Sequence, residues 1–362
     1  MTERRPLVAI GLMSGTSMDG IDAALLRTDG EGAVERGPFR TTPYSDPFRA
    51  RLRGVLGGRG SVAEVERDLT LLHATAVEEL LAEAGLQPNQ VDLLGFHGHT
   101  ILHAPDRGRT WQIGDGALLA RTTEIDTIHD FRSADVAAGG EGAPLAPAYH
   151  AALSLGLERP LAVLNIGGVA NVTWIGGEGA LLAFDTGPGN ALIDDWMQAR
   201  TGHPVDRGGA LALAGSADSS VIAQLLAHPY FDRAPPKSLD RDAFAHAMVT
   251  LGAHADADGA ATLTELTAAA VVAALRHLPE LPRRWLVSGG GRSNPALMAA
   301  LARRLEAPVQ PVETVGWNGD ALEAEAFAYL AVRSRKGLPI SFPGTTGAPR
   351  PLTGGRLSRA TP

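Results

Sequence analysis

The sequence of 362 residues contains no cysteine. Disulfide bonds, thiolate catalysis and cysteine metal ligands are therefore excluded for this chain. Positive charge is also scarce, since the formal net charge is −8 at pH 7 and the pI is ≈ 5.8. This balance argues against a surface that binds nucleic acid or an anionic membrane. A phosphate-binding site must then be built locally, from backbone amides and a few basic side chains.

Long apolar runs and a charged-then-apolar leader are also missing from the sequence, which predicts a cytoplasmic protein without a membrane partner. Hydrophobic residues make up 44% and charged residues 20%, the proportions of an ordinary globular protein. The 43 glycines and 24 prolines favour a turn-rich α/β protein. The length is sufficient for two domains, each with its own core.

A polar turn at residues 13–20 separates two predicted strands, 7–12 and 21–27, which is the pattern of a β-hairpin. The groups that could surround a phosphate there are the hydroxyls of Ser14, Thr16 and Ser17 and the amides of Gly15 and Gly20. Asp19 and Asp22 could reach a Mg²⁺ ion directly or through water, because Mg²⁺ takes oxygen ligands and keeps much of its water. The same residue types form ordinary tight turns, and no Gly-Lys-Ser/Thr follows as in a P-loop. The turn therefore favours a phosphate site and a plain turn equally.

Two histidines, His97 and His99, follow a predicted buried strand at residues 91–96. A His-x-His pair at a strand end can hold a metal ion, which makes a metallohydrolase one candidate. The rest of the sequence shows no clear set of further ligands. Substrate hydrogen bonding or a structural role is the stronger prediction for the two imidazoles.

Asp130 and Arg132 follow a short predicted strand at residues 126–128. A guanidinium at this place suits bidentate contact with a carboxylate or phosphate group of a substrate. A surface ion pair of little energetic value would use the same two residues.

A Pro/Gly-rich stretch at residues 139–147 predicts an interdomain hinge. The predicted domain bounds are 1–140 for the first domain, completed by the C-terminal helix 320–362, and 141–319 for the second. The second domain repeats the strand, turn and strand of the first, with Gly167 in the turn. We therefore expect duplicated halves that face a shared cleft.

An apolar segment of strand character at residues 181–184 ends on Asp185, and a turn containing Gly187 follows. Asn190 then opens a predicted helix. Glycines let the backbone approach an anion, and free N–H groups at a helix start stabilise negative charge. A carboxylate beside such a turn suits a general base that faces a phosphate. An Asp at a strand end is also a common turn former or helix cap.

Three successive glycines, Gly289, Gly290 and Gly291, follow a predicted buried strand at residues 285–287. Without side chains, this segment lets a flat ring lie against the backbone, which predicts a nucleoside pocket. A loose strand–helix turn is the alternative. Asn294 is predicted to cap the helix that follows.

Capping-box patterns predict helix starts at Ser61 and Thr262. Lys237 lies in an irregular loop and is predicted to be a solvated cation. Glu323 lies in the first turn of the closing helix, where an acid suits the helix dipole, and its side chain could also point into the cleft.

Taken together, these segments closely resemble the anhydro-N-acetylmuramic acid kinase family, within the actin/hexokinase/Hsp70-like ATPase superfamily, over nearly the whole chain. The motifs that carry the resemblance are Gly11-Leu-Met-Ser-Gly-Thr-Ser-Met-Asp-Gly-Ile-Asp22, Gln112-Ile-Gly-Asp115, Asp130-Phe-Arg132, Gly140-Glu-Gly-Ala-Pro-Leu145, Asn165-Ile-Gly-Gly168, Phe184-Asp-Thr-Gly-Pro-Gly-Asn190, Pro235-Pro-Lys-Ser238, Ser288-Gly-Gly-Gly291, Gly319-Asp320 and Glu323-Ala324. One motif differs, because the family usually has His-Gly-Gln-Thr where this chain has His97-Gly-His99-Thr100. The role of position 99 is therefore open.

The resemblance implies an α/β fold of two actin-like (ribonuclease H-like) domains with a nucleotide and sugar cleft between them. It implies ATP-dependent, hydrolytic opening of 1,6-anhydro-N-acetylmuramic acid and phosphorylation of O6, in peptidoglycan recycling. Asp185 would be the general base for the attacking water, and Asp19 and Asp22 would lie near Mg²⁺. The implied nucleotide contacts are Gly15, Thr16, Ser17, Met18, Asp19, Gly20, Ile21, Asp22, Gly167, Gly187, Gly289, Gly290 and Gly291. The implied contacts with the small amino-sugar substrate are His97, Arg132, Asn190 and Glu323. A homodimer is compatible with the resemblance.

Two other functions remain candidates beside this one. A non-catalytic ATP-binding switch of the same superfamily would explain the nucleotide loops but would give Asp185 no task beyond ATP. A metal-dependent hydrolase would use His97 and His99 as ligands.

Overall fold

A computed structural model describes residues 5–15 and 17–361 of the chain. The chain forms two compact units, the first made of Met1–Gly156 and Ala321–Pro362 and the second of Leu157–Asp320. The first unit therefore extends past residue 140 and includes a helix at Pro147–Leu153.

Twelve strands are found among the described residues. They are β1 (Leu7–Ser14), β2 (Gly20–Thr28), β3 (Val34–Pro43), β4 (Leu93–Ala104), β5 (Arg109–Ile113), β6 (Thr127–His129), β7 (Leu161–Ile166), β8 (Val169–Ile175), β9 (Leu181–Pro188), β10 (Trp285–Ser288), β11 (Val309–Pro311) and β12 (Arg356–Ser358).

The α-helices of the described residues lie between and after these strands. They are α1 (Asp46–Gly54), α2 (Val62–Ala84), α3 (Gly116–Thr123), α4 (Ser133–Ala137), α5 (Pro147–Leu153), α6 (Asn190–Thr201), α7 (Ala210–Ala214), α8 (Ser219–Leu226), α9 (Ala247–Thr250), α10 (Asp256–Ala274), α11 (Pro295–Arg304), α12 (Leu322–Arg335) and α13 (Pro343–Thr346). Short 3₁₀ turns complete the secondary structure at Leu56–Gly58, Pro88–Gln90, Pro105–Arg107, Gly177–Gly179, Arg207–Gly209, Pro229–Asp232, Leu275–His277, Gly290–Ser293 and Val312–Val315.

The first unit contains a seven-stranded sheet with the order β12-β6-β4-β1-β2-β3, and β5 pairs with β4. Strands β1, β2 and β3 form an antiparallel meander, whereas β4 runs parallel to β1 and β6 parallel to β4. Apolar side chains of β1, β2 and β4 pack with the apolar face of α2 into one core. Burial of this face, rather than intrinsic helix propensity, accounts for most of the stability of α2.

The second unit contains a five-stranded sheet with the order β11-β10-β7-β8-β9. Strands β7, β8 and β9 form an antiparallel meander, and β10 and β11 add in parallel beside β7. This is the plan of β3-β2-β1-β4-β6 in the first sheet, with three antiparallel strands followed by two parallel ones. Two α/β units of one plan confirm the predicted fold class and the predicted repeat.

Helix α12 returns the chain to the first unit and packs directly on the first sheet. Gly11 of β1 and Gly95 of β4 allow this contact, because a side chain at either place would collide with the helix backbone at Ala324 or Phe327. Because neither strand carries a side chain at this point, the helix backbone contacts the strands directly. This contact fixes where the start of α12 lies on the sheet.

The predicted helix caps are only partly confirmed. Asn294 caps α11 as predicted, since its side chain accepts from the N–H groups of the first helical turn. Ser61 precedes α2 but makes no side-chain cap bond. Thr262 lies inside α10, which begins at Asp256, and its buried hydroxyl donates to Asp258 O over 2.7 Å. The capping box predicted at Thr262 is therefore wrong.

Helix α10 and its 3₁₀ extension, residues 256–277, are long and apolar enough to cross a membrane by length and composition. Within the protein, however, 72% of this apolar window is buried. Its side chains pack against the second sheet on one side and against α6 and α8 on the other. A core helix of a compact unit has this character.

Candidate active site

The loop between β1 and β2 folds back on itself at Met18. The Met18 N–H donates to Gly15 O over 3.0 Å, and Met18 has a φ of 56°, which is uncommon for a residue with a side chain. The side chains of Met18 and Ile21 are buried in the first core. These two residues can therefore offer a ligand only backbone groups. Thr16, also predicted to contact phosphate, lies outside the described residues.

Asp19 of this loop and Asp22 of β2 fit the predicted Mg²⁺ site chemically. Asp19 Oδ1 accepts from Ser17 Oγ over 2.7 Å, and Asp22 Oδ1 accepts from Thr41 Oγ1 over 2.6 Å. Each of the two carboxylates would offer a metal ion a hard oxygen ligand, the type that Mg²⁺ prefers. In the described ranges no group of three or more metal-binding side chains is found. Water and phosphate oxygens would therefore complete the coordination, as is usual for this ion.

His99 supports the end of β1, where this loop begins. It lies opposite Ser14 in the pair of β1 and β4, with Ser14 Oγ 3.0 Å from His99 Nδ1. Tyr44 OH donates to Ser14 Oγ over 2.7 Å, so the Ser14 hydroxyl links Tyr44 to the His99 ring. Burial lowers the pKa of His99 to about 4, which makes the ring neutral. Its buried Nε2 has no hydrogen-bond partner among the residues the structure describes.

His97, Arg132 and Glu323, three of the predicted sugar contacts, lie near one another in the first unit. His97 Nδ1–H donates to Gly98 O over 2.9 Å, which leaves Nε2 as an acceptor. Arg132 Nε and Nη2 lie 3.1 and 3.0 Å from this Nε2. Arg132 Nη1 donates to Gly142 O over 2.7 Å. Burial lowers the pKa of Arg132 to about 10, and the exposed Glu323 opposes this shift.

This arrangement argues against a metal pair at His97 and His99. Strand β4 continues to Ala104, so both histidines lie inside the strand rather than after its end. Burial and the neighbouring Arg132 hold the pKa of His97 well below its usual range. A guanidinium facing His97 Nε2 repels any cation that would bind there.

Asp185 lies inside β9, opposite Asn171 of β8, because the strand continues to Pro188. The prediction that the strand ends on Asp185 is therefore wrong. Side chains alternate along a strand, and the neighbours Phe184 and Thr186 are buried. The carboxylate consequently points away from the face that holds these two side chains, and Asp185 is partly exposed.

Three residues of the segment after α8 hold Asp185, and sequence reasoning assigned none of them a catalytic task. Leu239 N–H donates to Asp185 Oδ2 over 2.8 Å. Asp185 N–H donates to Lys237 O over 3.0 Å, and Tyr230 OH donates to Asp185 O over 2.5 Å. The motif Pro235-Pro-Lys-Ser238 was the available signal, but only the fold shows that it runs beside β9.

The prediction that Lys237 is solvated is wrong. The residue is 3% exposed, and its Nζ donates to Tyr230 O over 3.1 Å and to Phe231 O over 3.3 Å. Nζ also lies 4.6 Å from the ring centre of Tyr230 and 5.7 Å from that of Phe184. Carbonyl dipoles and aromatic faces offset the loss of hydration.

The start of α6 packs against the turn between β7 and β8. Asn190 N–H donates to Gly167 O over 2.8 Å, and Ala191 N–H donates to Gly168 O over 3.1 Å. The Asn190 side-chain amide donates to Ile166 O over 3.1 Å. The prediction of free N–H groups is therefore wrong for these two amides, because the neighbouring turn already accepts from them.

Glycine is needed at positions 187 and 289 of the second unit for different structural reasons. A side chain at Gly187 would meet Ala270 of α10, so this glycine allows β9 to pack on the helix. Gly289 has a φ of 71°, which favours glycine, and a side chain there would press on the backbone of Ile166. The segment from Gly289 thus lies over the end of β7, beside Asn190 and the turn at Gly167.

Comparison with known proteins gives a consistent result. The family model described as "Anhydro-N-acetylmuramic acid kinase" matches residues 7–359. A protein of that name from Paramagnetospirillum magneticum is 61% identical over 353 residues, which cover 97% of this chain and 99% of the relative. Another, from Rhodospirillum rubrum, is 58% identical over 353 residues, with 96% and 93% covered.

One solved structure that matches is component A of the (R)-2-hydroxyglutaryl-CoA dehydratase of Acidaminococcus fermentans. The match has 14% sequence identity and a TM-score of 0.47, and it covers 90% of this chain and 99% of that one. A likeness this distant carries no argument about the chain.

Proposed function

The chain belongs to the anhydro-N-acetylmuramic acid kinase family, and we propose that it opens the 1,6-anhydro ring of anhydro-N-acetylmuramic acid with water and phosphorylates O6 with ATP. The products are N-acetylmuramic acid 6-phosphate and ADP, and the reaction serves peptidoglycan recycling. The observation that carries this proposal is the family match across residues 7–359.

Asp185 is the general base in this reaction. Its carboxylate takes a proton from a water molecule whose oxygen forms a bond to the anomeric carbon, while the bond from that carbon to O6 breaks. O6 then attacks the γ-phosphoryl group, and ADP leaves. The bond from Leu239 N–H to Oδ2 limits the rotation of the carboxylate, and the bond from Asp185 N–H to Lys237 O holds the loop that contains Leu239 beside β9. Fixed orientation of the base toward its water lowers the entropic part of the barrier.

Residues 15–22, which form the loop and the start of β2, would hold the phosphates of ATP through backbone amides and the Ser17 hydroxyl, and Asp19 and Asp22 would hold Mg²⁺. When bound, the ion offsets negative charge on the transferring phosphoryl group. The segment from Gly289 to Gly291 holds the adenosine side. Gly289 lets the chain pack on the end of β7, and the exposed Gly290 supports this assignment because it presents backbone without a side chain.

Arg132, His97, Glu323 and Asn190 contact the sugar. Two nitrogens of Arg132 already donate hydrogen bonds to His97, and the third donates to Gly142 O. Its contribution is therefore a fixed positive charge rather than a mobile bidentate clamp. The neutral His97 ring fixes the guanidinium plane, which favours a substrate that carries a carboxylate, as muramic acid does.

The test is incubation of the protein with Mg·ATP and the anhydro sugar, followed by mass analysis. The proposed kinase yields a sugar that has gained both a phosphate group and a water molecule, with one ADP formed for each sugar. Absence of a sugar product would favour the ATP-binding switch. Turnover without ATP would favour a hydrolase.

The small amino sugar is the partner that this function requires. A cytoplasmic location is part of the proposal, because ATP must be available to the enzyme. A homodimer is the proposed assembly, and light scattering of the purified protein tests it.

A further inference from the structure

We propose that Lys237 is a positioning residue for Asp185, holding the loop of residues 230–239 so that the base keeps its orientation. The inference rests on the proposed function, because it assumes that Asp185 is the base. Lys237 itself touches no reacting atom in this account. It acts through the loop.

The Lys237 ammonium closes the loop on itself. Nζ donates to Tyr230 O over 3.1 Å and to Phe231 O over 3.3 Å, and the residue is 3% exposed. The two ends of the loop are thereby joined by a buried cation. Bonds from a charged donor to carbonyl oxygens are stronger than neutral ones in an environment of low dielectric constant.

Both joined ends contact Asp185. From one end, Tyr230 OH donates to the Asp185 backbone oxygen over 2.5 Å. From the other end, Lys237 O accepts the Asp185 N–H over 3.0 Å, and Leu239 N–H donates to Oδ2 over 2.8 Å. Loss of the ammonium would release Tyr230 and Leu239 from each other. The orientation of the carboxylate, rather than its charge, would then be lost.

The charge of the Lys237 side chain changes with pH close to neutral pH. Burial, followed by the nearby Arg276 and Arg233, lowers the pKa of Lys237 to about 8, and Asp232 opposes this shift. The other neighbour is His277, whose Nε2–H donates to Phe231 O over 2.9 Å. The ammonium is therefore present below pH 8 and is lost as pH rises through 8.

Activity and stability should respond to this titration in opposite directions. The neutral amine donates weaker bonds to the two carbonyls, so kcat should fall as pH rises through 8. The pKa of Lys237 is lower in the folded chain than its ordinary value of 10.5. Between these two pH values the unfolded chain binds more protons than the folded chain. The contribution of Lys237 to the free energy of unfolding therefore rises with pH. A lysine that only stabilised the fold would change the stability with pH but would leave kcat unchanged.

The test compares the wild-type enzyme with Lys237→Met, which keeps the length of the side chain and removes the donor. We expect kcat for sugar phosphorylation to fall by about 100-fold, the effect of a base displaced by about 1 Å. The KM for ATP should stay unchanged. A matched control is Lys336→Met, since Lys336 Nζ also donates to two backbone carbonyls, those of Arg5 and Asp29, each over 3.0 Å. This control should keep the wild-type kcat.

Two outcomes overturn the inference while leaving the proposed function intact. One is a folded Lys237→Met enzyme with a kcat within a few-fold of wild type. The other, which applies even if this variant fails to fold, is a wild-type kcat that stays constant between pH 7 and pH 9 at saturating substrates. A wild-type enzyme that forms no sugar phosphate at all would instead overturn the proposed function.

Discussion

One edge of the Arg132 guanidinium faces the His97 ring, with Nε and Nη2 both within 3.1 Å of His97 Nε2. The imidazole can accept there only because its proton lies on Nδ1, which donates to Gly98 O. Burial and Arg132 keep the pKa of His97 well below its usual range, so the ring stays neutral. A neutral imidazole thus orients the cation that we assign to the sugar.

Replacement of Arg132 by lysine should impair sugar use selectively. One ammonium cannot replace the planar guanidinium, which serves His97 and Gly142 O from fixed directions. The kcat/KM for the sugar should fall about 10- to 100-fold, the cost of one or two charge-assisted hydrogen bonds. Steady-state kinetics with each substrate varied in turn measures this. The KM for ATP and the exposed control Arg107→Lys should be unaffected, and an equal loss for both substrates would contradict the assignment.

Stability should fall on mild acidification because of buried imidazoles. Burial lowers the pKa of His73 and of His99 to about 4, below the ordinary value of 6.5. The unfolded chain therefore binds more protons between pH 6.5 and pH 4, and stability present above 6.5 is lost as pH falls through this window. Each ring contributes roughly 3 kcal/mol at most. Urea unfolding at pH 7.5 and pH 4.5 measures the loss.

The variant His99→Gln serves as the control for that experiment, since it removes one titrating ring. Its stability should depend less steeply on pH than that of the wild type. Identical slopes for the two proteins would show that His99 titrates at its ordinary pKa in the folded chain.

The role of position 99 can be tested through the nucleotide. His99 Nδ1 lies 3.0 Å from Ser14 Oγ at the end of β1, directly before the proposed phosphate loop. A glutamine side chain can also form a hydrogen bond with this hydroxyl, whereas leucine cannot. We expect His99→Gln to keep the KM for ATP, and His99→Leu to raise it by about 10-fold, the value of one buried hydrogen bond. Equal KM values for the two variants would mean that Ser14 does not need this partner.

The sequence predicted the parts of the fold that depend on local pattern. Alternating and continuous apolar runs predicted most strands, and the repeated strand–turn–strand plan predicted the second unit. Gly85 ends α2 in the left-handed conformation that glycine commonly adopts after a helix. Asn294 caps α11 for the same local reason. Such features are decided within a few residues of the chain.

Features decided by distant residues were missed. Lys237 reads as a surface cation, and only the packing of Tyr230 and Phe184 around it reveals its burial. The end of β9 was placed at Asp185 because an acid and glycines usually stop a strand, yet pairing with β8 carries it to Pro188. Thr262 resembles a cap but lies within α10. In each place tertiary contacts override local preference.

The measurement that tests the account most directly is turnover by Asp185→Asn with Mg·ATP and the anhydro sugar. The amide oxygen can still accept from Leu239 N–H, so the fold and ATP binding should be retained, and the exposed Asp242→Asn serves as the control. Loss of the base predicts a fall in kcat of about 10²- to 10⁴-fold with a Kd for ATP close to that of the wild type. Turnover within ten-fold of the wild type, or loss of ATP binding, would contradict the assignment of Asp185 as the base.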